Sequence, residues 1–169
     1  MSEIMNTSEN SQLKPYINKY LKNPPDILEG FHHDDILDFL KVGIIETYQK
    51  GDTVVNKSDY VNSAYLLCEG QLSVWEENIE LATLSENSFI GETFLFGDNN
   101  RMAKIVSNDN SILLRFQRHD MLFFFKKKPT KLFNIFTRNI IYVQQKKLQR
   151  MNTFLLKLKK QLLKDENKY

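Results

Sequence analysis

The sequence is poor in the residue types that build disulfide-linked and membrane-spanning proteins. Cys68 is the single cysteine in 169 residues, which excludes an intrachain disulfide and favours a reducing compartment, so we expect a cytoplasmic protein. Its position in an apolar run predicts a buried thiol rather than a reactive one. No apolar run approaches the ~18 residues of a membrane span, and the polar N-terminus lacks the apolar centre of a signal peptide.

Histidine is also scarce, which argues against one class of enzyme. A metal-dependent cupin would need clustered His and Glu ligands on its strands. The three histidines are His32, His33 and His119, and none of them falls in a β-like run. Nothing in the sequence resembles a nucleophile paired with a base. We therefore expect a protein that is not an enzyme, with no catalytic residues, no metal and no prosthetic group.

The composition otherwise describes an ordinary globular protein. Apolar residues make up 41% and charged residues 26%, and 23 basic against 21 acidic side chains leave a net charge of +2. This balance argues neither for nor against nucleic acid. The pattern along the chain predicts a polar, disordered stretch over 1–12, a folded region over 13–130 that opens with helices, and a long helix over 131–169.

Short β-like runs separated by turn signals fill the middle of the chain. Their spacing of 8–12 residues predicts a mainly β protein with flanking helices, built as an antiparallel sandwich or barrel. Between two alternating runs lies Glu69-Gly70-Gln71, in which the glycine can supply a positive φ. This tripeptide predicts a β-hairpin. The runs are GIIETY, TVVN, SAYLLCEG, QLSVWEE, IELATL, SFIG, MAKIVS and SILLRFQ.

The region after Thr130 contains no glycine or proline up to Lys164, so it can form one helix. Apolar residues recur there every seven positions over about three heptads, the spacing of a coiled-coil seam. At ~1.5 Å per residue, such a helix outreaches a small barrel. The alternative is that it packs on its own barrel, but we expect a homodimer through 131–163. The seam consists of Ile141, Gln144, Leu148, Met151, Leu155, Leu158 and Leu162.

The stretch FIGETFLFGDNNRMA, residues 89–103, has the residues of an anion site. A strand entering Gly91 and a short helix starting near Glu92 would present free backbone N–H groups, and Gly91 permits close approach. Arg101 adds a guanidinium whose geometry suits phosphate oxygens. Glu92 would repel phosphate but can accept a ribose hydroxyl, so the set indicates a sugar phosphate. An internal Glu92–Arg101 ion pair that holds a turn is the alternative.

This stretch resembles the phosphate-binding cassette of cyclic nucleotide-binding domains, of the catabolite-activator and protein-kinase-regulatory-subunit type. SAYLLCEGQLSVW and the segment ILEGF through QKGD resemble other parts of that family, and the resemblance covers about residues 28–163. It implies an antiparallel β-roll, a jelly-roll-like double-stranded β-helix, followed by a long dimerisation helix. It also implies that Glu92 accepts the ribose 2′-hydroxyl, Arg101 pairs with the cyclic phosphate, and Gly91 lets the cassette close. Thr93 and Ala103 fall in the same cassette.

Two cassette positions depart from the family pattern. Phe94 stands where Ala or Gly is usual, and Met102 stands where Ala, Ser or Thr is usual. Both are counted among the candidate ligand-binding residues. Their bulk leaves three outcomes open, namely an altered ligand, an occluded pocket, or side chains that point into the core.

The resemblance implies a sensor whose ligand, cAMP first and cGMP as the alternative, repositions the long helix through a hinge near 119–129. Its base would lie against that helix, where Gln144 could read a purine edge or merely set the coiled-coil register. The chain ends at Tyr169, so no DNA-reading helix-turn-helix is expected. The output would pass to a protein partner, with no specific DNA and no membrane involved. The alternative is a degenerate domain that binds no nucleotide and acts as a dimeric protein-interaction module.

Overall fold

Two four-stranded antiparallel sheets form the body of the protein. A computed structural model describes residues 7–97 and 100–166, and within them the chain forms eight β-strands and four α-helices. The strands are β1 (Ile44–Tyr48), β2 (Thr53–Val55), β3 (Ser63–Glu69), β4 (Leu72–Glu76), β5 (Ile79–Leu84), β6 (Phe89–Ile90), β7 (Lys104–Ser107) and β8 (Ser111–Gln117). The helices are α1 (Thr7–Lys22), α2 (His33–Val42), α3 (Arg118–Lys126) and α4 (Thr130–Glu166).

One sheet has the strand order β1-β8-β3-β6 and the other has the order β2-β7-β4-β5. This arrangement is the predicted antiparallel β-roll with flanking helices and a long C-terminal helix, and the fold prediction is confirmed. Every predicted β-like run contains one strand. Helix α1 begins at Thr7, so the predicted helix start at Leu13 is too late and residues 7–12 are not the disordered stretch that was expected. Residues 1–6 lie outside the described part.

The central strand β3 shows why the sequence there is almost continuously apolar. Ala64, Leu66 and Cys68 face the helices, whereas Tyr65 and Leu67 face the second sheet. A strand covered on both faces loses the polar alternation of a half-exposed strand. Cys68 is fully buried, as its apolar setting predicted.

The predicted hairpin at Glu69-Gly70-Gln71 is wrong. Strand β3 pairs with β6 and β8, whereas β4 pairs with β5 and β7, so the tripeptide carries the chain from one sheet to the other. Gly70 does adopt a positive φ of 92°. A Cβ there would lie 2.5 Å from the Ser111 hydroxyl oxygen, which is why the crossing needs glycine.

Helix α4 is the predicted single long helix, with 37 residues. Its first half packs on the body through a stripe of buried side chains, Leu132, Phe136, Ile140 and Val143. Asn139, on the same face, donates hydrogen bonds to the backbone oxygens of Ile27 at 3.1 Å and Glu29 at 2.8 Å. From residue 148 to residue 164 every side chain is exposed. The second half of the helix therefore extends away from the body.

Candidate ligand site

The site begins at Gly91, the residue that follows the two-residue strand β6. This residue has φ 77° and ψ 35°, in the left-handed region, and the single 3₁₀ turn Glu92–Leu95 follows it. A Cβ on Gly91 would lie only 2.1 Å from Nη1 of Arg101 and 3.0 Å from the backbone oxygen of Ser63. Glycine is therefore required both by the backbone conformation and by the close approach of Arg101.

Arg101 lies in the irregular segment before β7, with 8% of its surface exposed. Its backbone is tied to the Asp59 oxygen at 2.7 Å. The Nη2 atom donates to the backbone oxygen of Ser63 at 2.7 Å and lies 3.4 Å from the Ser63 hydroxyl oxygen. The guanidinium also lies over the ring of Tyr65, 5.7 Å from its centroid.

Arg101 is unusual because it is a buried cation whose close contacts are neutral. Burial lowers its pKa, against smaller contributions from Tyr65 and Asp59 that raise it, so the charged form is held in a setting that disfavours it. Within residues 7–97 and 100–166, no carboxylate forms a salt bridge with it. A guanidinium has five N–H donors, so the contacts with Ser63 leave donor capacity for an anion.

Glu92 is also buried, with 6% of its surface exposed, but it is paired. Its carboxylate forms an ion pair with the Lys147 amine of helix α4. The alternative Glu92–Arg101 pair that the sequence left open is therefore not the one that forms. The Lys147 amine also donates to the backbone oxygen of Phe89 at 3.3 Å.

Desolvation, with a smaller contribution from the charge of Arg150, lowers the pKa of Lys147 to about 8. With 40% of its side chain exposed, Lys147 lies at the edge of the body, with its amine against the buried Glu92 carboxylate.

The two bulky residues of the cassette do not share one environment. Phe94 is fully buried in the helix-side core, where its ring packs on that of Phe89 with centroids 6.4 Å apart. Its backbone N–H donates to the Gly91 oxygen at 3.0 Å. Met102 is 89% exposed. The sequence left three outcomes open, and Phe94 takes the one in which the side chain points into the core. Met102 points into solvent.

The comparisons with known proteins bear on this same segment. The family model "Cyclic nucleotide-binding domain" matches residues 45–128. That range contains the two sheets from β1 onward, the cassette and helix α3. This part of the chain belongs to the cyclic nucleotide-binding domain family.

Solved structures of the family share the fold at low sequence identity. A cyclic nucleotide-binding domain from Methylobacillus flagellatus KT is 14% identical, with a TM-score of 0.75, and the match covers 85% of this chain and 84% of that one. The Thermus thermophilus catabolite activator protein is 19% identical, with a TM-score of 0.65, over 79% of this chain and 63% of that one. At such identities the likeness concerns the fold alone.

A curated relative matches over a shorter segment. A cGMP-dependent protein kinase of Plasmodium berghei is 30% identical over 66 residues, 39% of this chain. The chain spans only 8% of the length of that kinase.

In the described residues, no helix has both the length and the apolar character that a membrane crossing requires.

The domain contacts α4 at a position that the sequence reading missed. Gln144, the residue of α4 predicted to contact the base, is exposed, whereas Lys147 one turn later contacts the cassette. The heptad spacing favours residue 144 as a contact. Lys147, however, lies four residues after the buried Val143, so it is on the helix face that packs on the body. The remaining candidates are peripheral, since Thr93 is exposed and Ala103 is half-buried.

A cleft of about 310 Å³ lies between α4 and the loop that joins β5 to β6. Phe89, Lys147 and Arg150 are among the residues that line it, so it opens beside the Glu92–Lys147 pair. Its size lies at the small end of the range for ligand pockets.

Two further contacts connect the other end of the cassette to the C-terminal helices. The ring of Phe96 lies 6.4 Å from that of Phe133 in the first turns of α4. Nη1 of Arg118, the first residue of α3, is 3.4 Å from the backbone oxygen of Gly97. A displacement of the cassette would therefore change its contacts with both α3 and α4.

Proposed function

We propose that this protein is a regulatory module that binds a cyclic nucleotide in the cassette around Gly91, Glu92 and Arg101. The observation that carries the proposal is the buried guanidinium of Arg101, which lies against a glycine and forms no salt bridge within the described residues. A buried charge without a salt-bridge partner is costly, and a cyclic phosphate would supply one negative charge. The family membership supports the same ligand class.

The two ends of the ligand are assigned by charge. The cyclic phosphate accepts from Arg101, because a guanidinium donates charge-assisted hydrogen bonds to phosphate oxygens. The ribose 2′-hydroxyl donates to the Glu92 carboxylate, which would repel the phosphate. The base then lies towards α4, with either cAMP or cGMP as the ligand. The side chains of Phe94 and Met102 point elsewhere, which favours binding over the alternative of a degenerate, ligand-free module.

Calorimetric titration tests this proposal with cAMP, cGMP and a cyclic dinucleotide as ligands. At least one of them is expected to bind, and Arg101→Ala is expected to weaken that binding by about 2–5 kcal/mol, the cost of removing one member of a buried charge pair. Arg138→Ala, which removes an exposed arginine of α4, is the matched control and should bind as the wild type does. Absence of binding heat with all three ligands would refute the proposal.

The output of the module is proposed to pass through α4 to a protein partner. The cassette contacts this helix through Lys147 and Phe133, at two points separated along its length. Bound ligand would pull the cassette inward and reposition the helix about the hinge near 119–129. It can shift this equilibrium only by its differential affinity for the two helix positions.

A homodimer through residues 131–163 is proposed, in which the exposed seam of α4 between Ile141 and Leu162 pairs with a second copy of the chain. The apolar seam residues lie in solvent in the single chain, for example Leu148 at 54% and Leu155 at 56% exposure. Light scattering should give twice the 20.0 kDa chain mass at micromolar concentration. Leu155→Glu should halve that mass, whereas the off-seam control Thr153→Glu should not. A wild-type mass of one chain would refute the dimer.

A further inference from the structure

Lys147 marks the point at which α4 leaves the body of the protein. The buried stripe of the helix ends at Val143, Lys147 is the next residue on that face, and exposure is continuous from residue 148 to residue 164. Among the residues that the structure describes, the ion pair with Glu92 and the hydrogen bond to the Phe89 oxygen are the last polar contacts given between the helix and the β-roll. Loss of these contacts would free the helix from this point onward.

The partner of Lys147 is the carboxylate that the proposed function assigns to the ribose. Glu92 is buried, so its charge needs a partner whether or not a ligand is present. In the ligand-free protein the Lys147 amine is that partner. The amine contacts Oε1 of Glu92, and a ribose hydroxyl that donates to this same oxygen would compete with the amine for its place.

We propose that Lys147 is a built-in competitor for Glu92, which holds α4 on the cassette until a cyclic nucleotide displaces it. This inference rests on the proposed function, because the displacing group is the ribose hydroxyl. Binding then has a defined mechanical consequence. The helix loses its last anchor on the β-roll, and the segment beyond residue 147 changes its position or its mobility.

The neighbouring Lys146 provides a matched control. It is adjacent in sequence and is also paired, but its partner is Asp26, in the 3₁₀ turn Asp26–Leu28, at 2.7 Å. Replacing Lys146 removes one positive charge and one ion pair of α4 without touching the cassette. Any effect of total charge on nucleotide affinity would therefore appear in both variants, whereas release of Glu92 appears only when Lys147 is replaced.

The test compares Lys147→Met with Lys146→Met by calorimetric titration with cAMP and cGMP. Lys147→Met should bind the nucleotide roughly three- to tenfold more tightly than the wild type, the factor that a part-buried ion pair is worth. Lys146→Met should leave the affinity unchanged, and Lys147→Arg, which keeps the charge, should stay near the wild type. Unchanged or weaker binding by Lys147→Met would overturn the inference while the proposed function stood.

Hydrogen exchange supplies a readout that needs no nucleotide. In the ligand-free protein, Lys147→Met should raise amide exchange in α4 after residue 144, and Lys146→Met should raise it less. Nucleotide should produce the same increase in the wild type and add little in Lys147→Met. If no chain binds any nucleotide, the proposed function fails, and equal exchange in the wild type and Lys147→Met would then refute the anchoring role as well.

Discussion

Replacing Gly91 by alanine tests the tight contact between the cassette backbone and Arg101. The new Cβ would lie 2.1 Å from Nη1 of Arg101, so the guanidinium would have to retreat by roughly 1 Å or more to reach an ordinary contact distance. That movement breaks its 2.7 Å hydrogen bond to the Ser63 oxygen. Alanine must also adopt a φ of 77°, in the left-handed region.

The cost of the backbone conformation and the cost of the lost hydrogen bond are estimated separately and then added. The left-handed conformation costs about 1–2 kcal/mol for a residue with a Cβ. A hydrogen bond to a charged group contributes about 1.5–3 kcal/mol. Gly91→Ala should therefore lower the free energy of unfolding by about 2.5–5 kcal/mol in total, as measured by chemical denaturation.

Gly51→Ala is the matched control for this prediction. Gly51 has φ 93°, and a Cβ there meets nothing within 4 Å, so this variant should show the backbone cost of about 1–2 kcal/mol alone. Nucleotide affinity should fall in Gly91→Ala and stay unchanged in Gly51→Ala. Equal destabilisation by the two substitutions would refute the reasoning, because it would mean that Arg101 does not depend on the space beside Gly91.

Three further predictions concern the rest of the structure. Asn139→Ala should cost about 1–3 kcal/mol in chemical denaturation, because the buried Ile27 oxygen and the part-buried Glu29 oxygen lose their donor; an unchanged midpoint would refute it. Burial raises the pKa of the Cys68 thiol to about 11, so iodoacetamide at pH 8 should modify the unfolded chain and spare the native one. Lys128 lowers the pKa of Asp38, so the stability from this pair is present above the ordinary Asp pKa of ~4 and is lost as the pH falls. Lys128→Met should therefore flatten the acid limb of the stability–pH curve, and an unaltered limb would count against the pair.

Much of this fold is local in origin, and that part could be predicted from the sequence. The strands follow alternating or apolar runs, and α4 follows from a long stretch without glycine or proline. The positive φ of Gly70 was expected for the same reason. Each of these features depends on residues that are close together in the chain.

The features that could not be predicted depend on contacts between distant segments. The link at Gly70 has the residues of a hairpin, but which strands pair is decided by the packing of two sheets. Lys147 approaches Glu92 only because α4 crosses the β-roll at one place, 55 positions along the chain. Phe94 points into the core because helices on that side provide a cluster of aromatic rings for it, which no local pattern reveals.

A crystal structure of the protein with its tightest-binding cyclic nucleotide would test the central claim most directly. We expect phosphate oxygens at about 2.7–2.9 Å from the Arg101 guanidinium and the ribose 2′-hydroxyl on the Glu92 carboxylate in place of Lys147. A nucleotide bound elsewhere, or one bound with Arg101 still in contact only with Ser63, would contradict it.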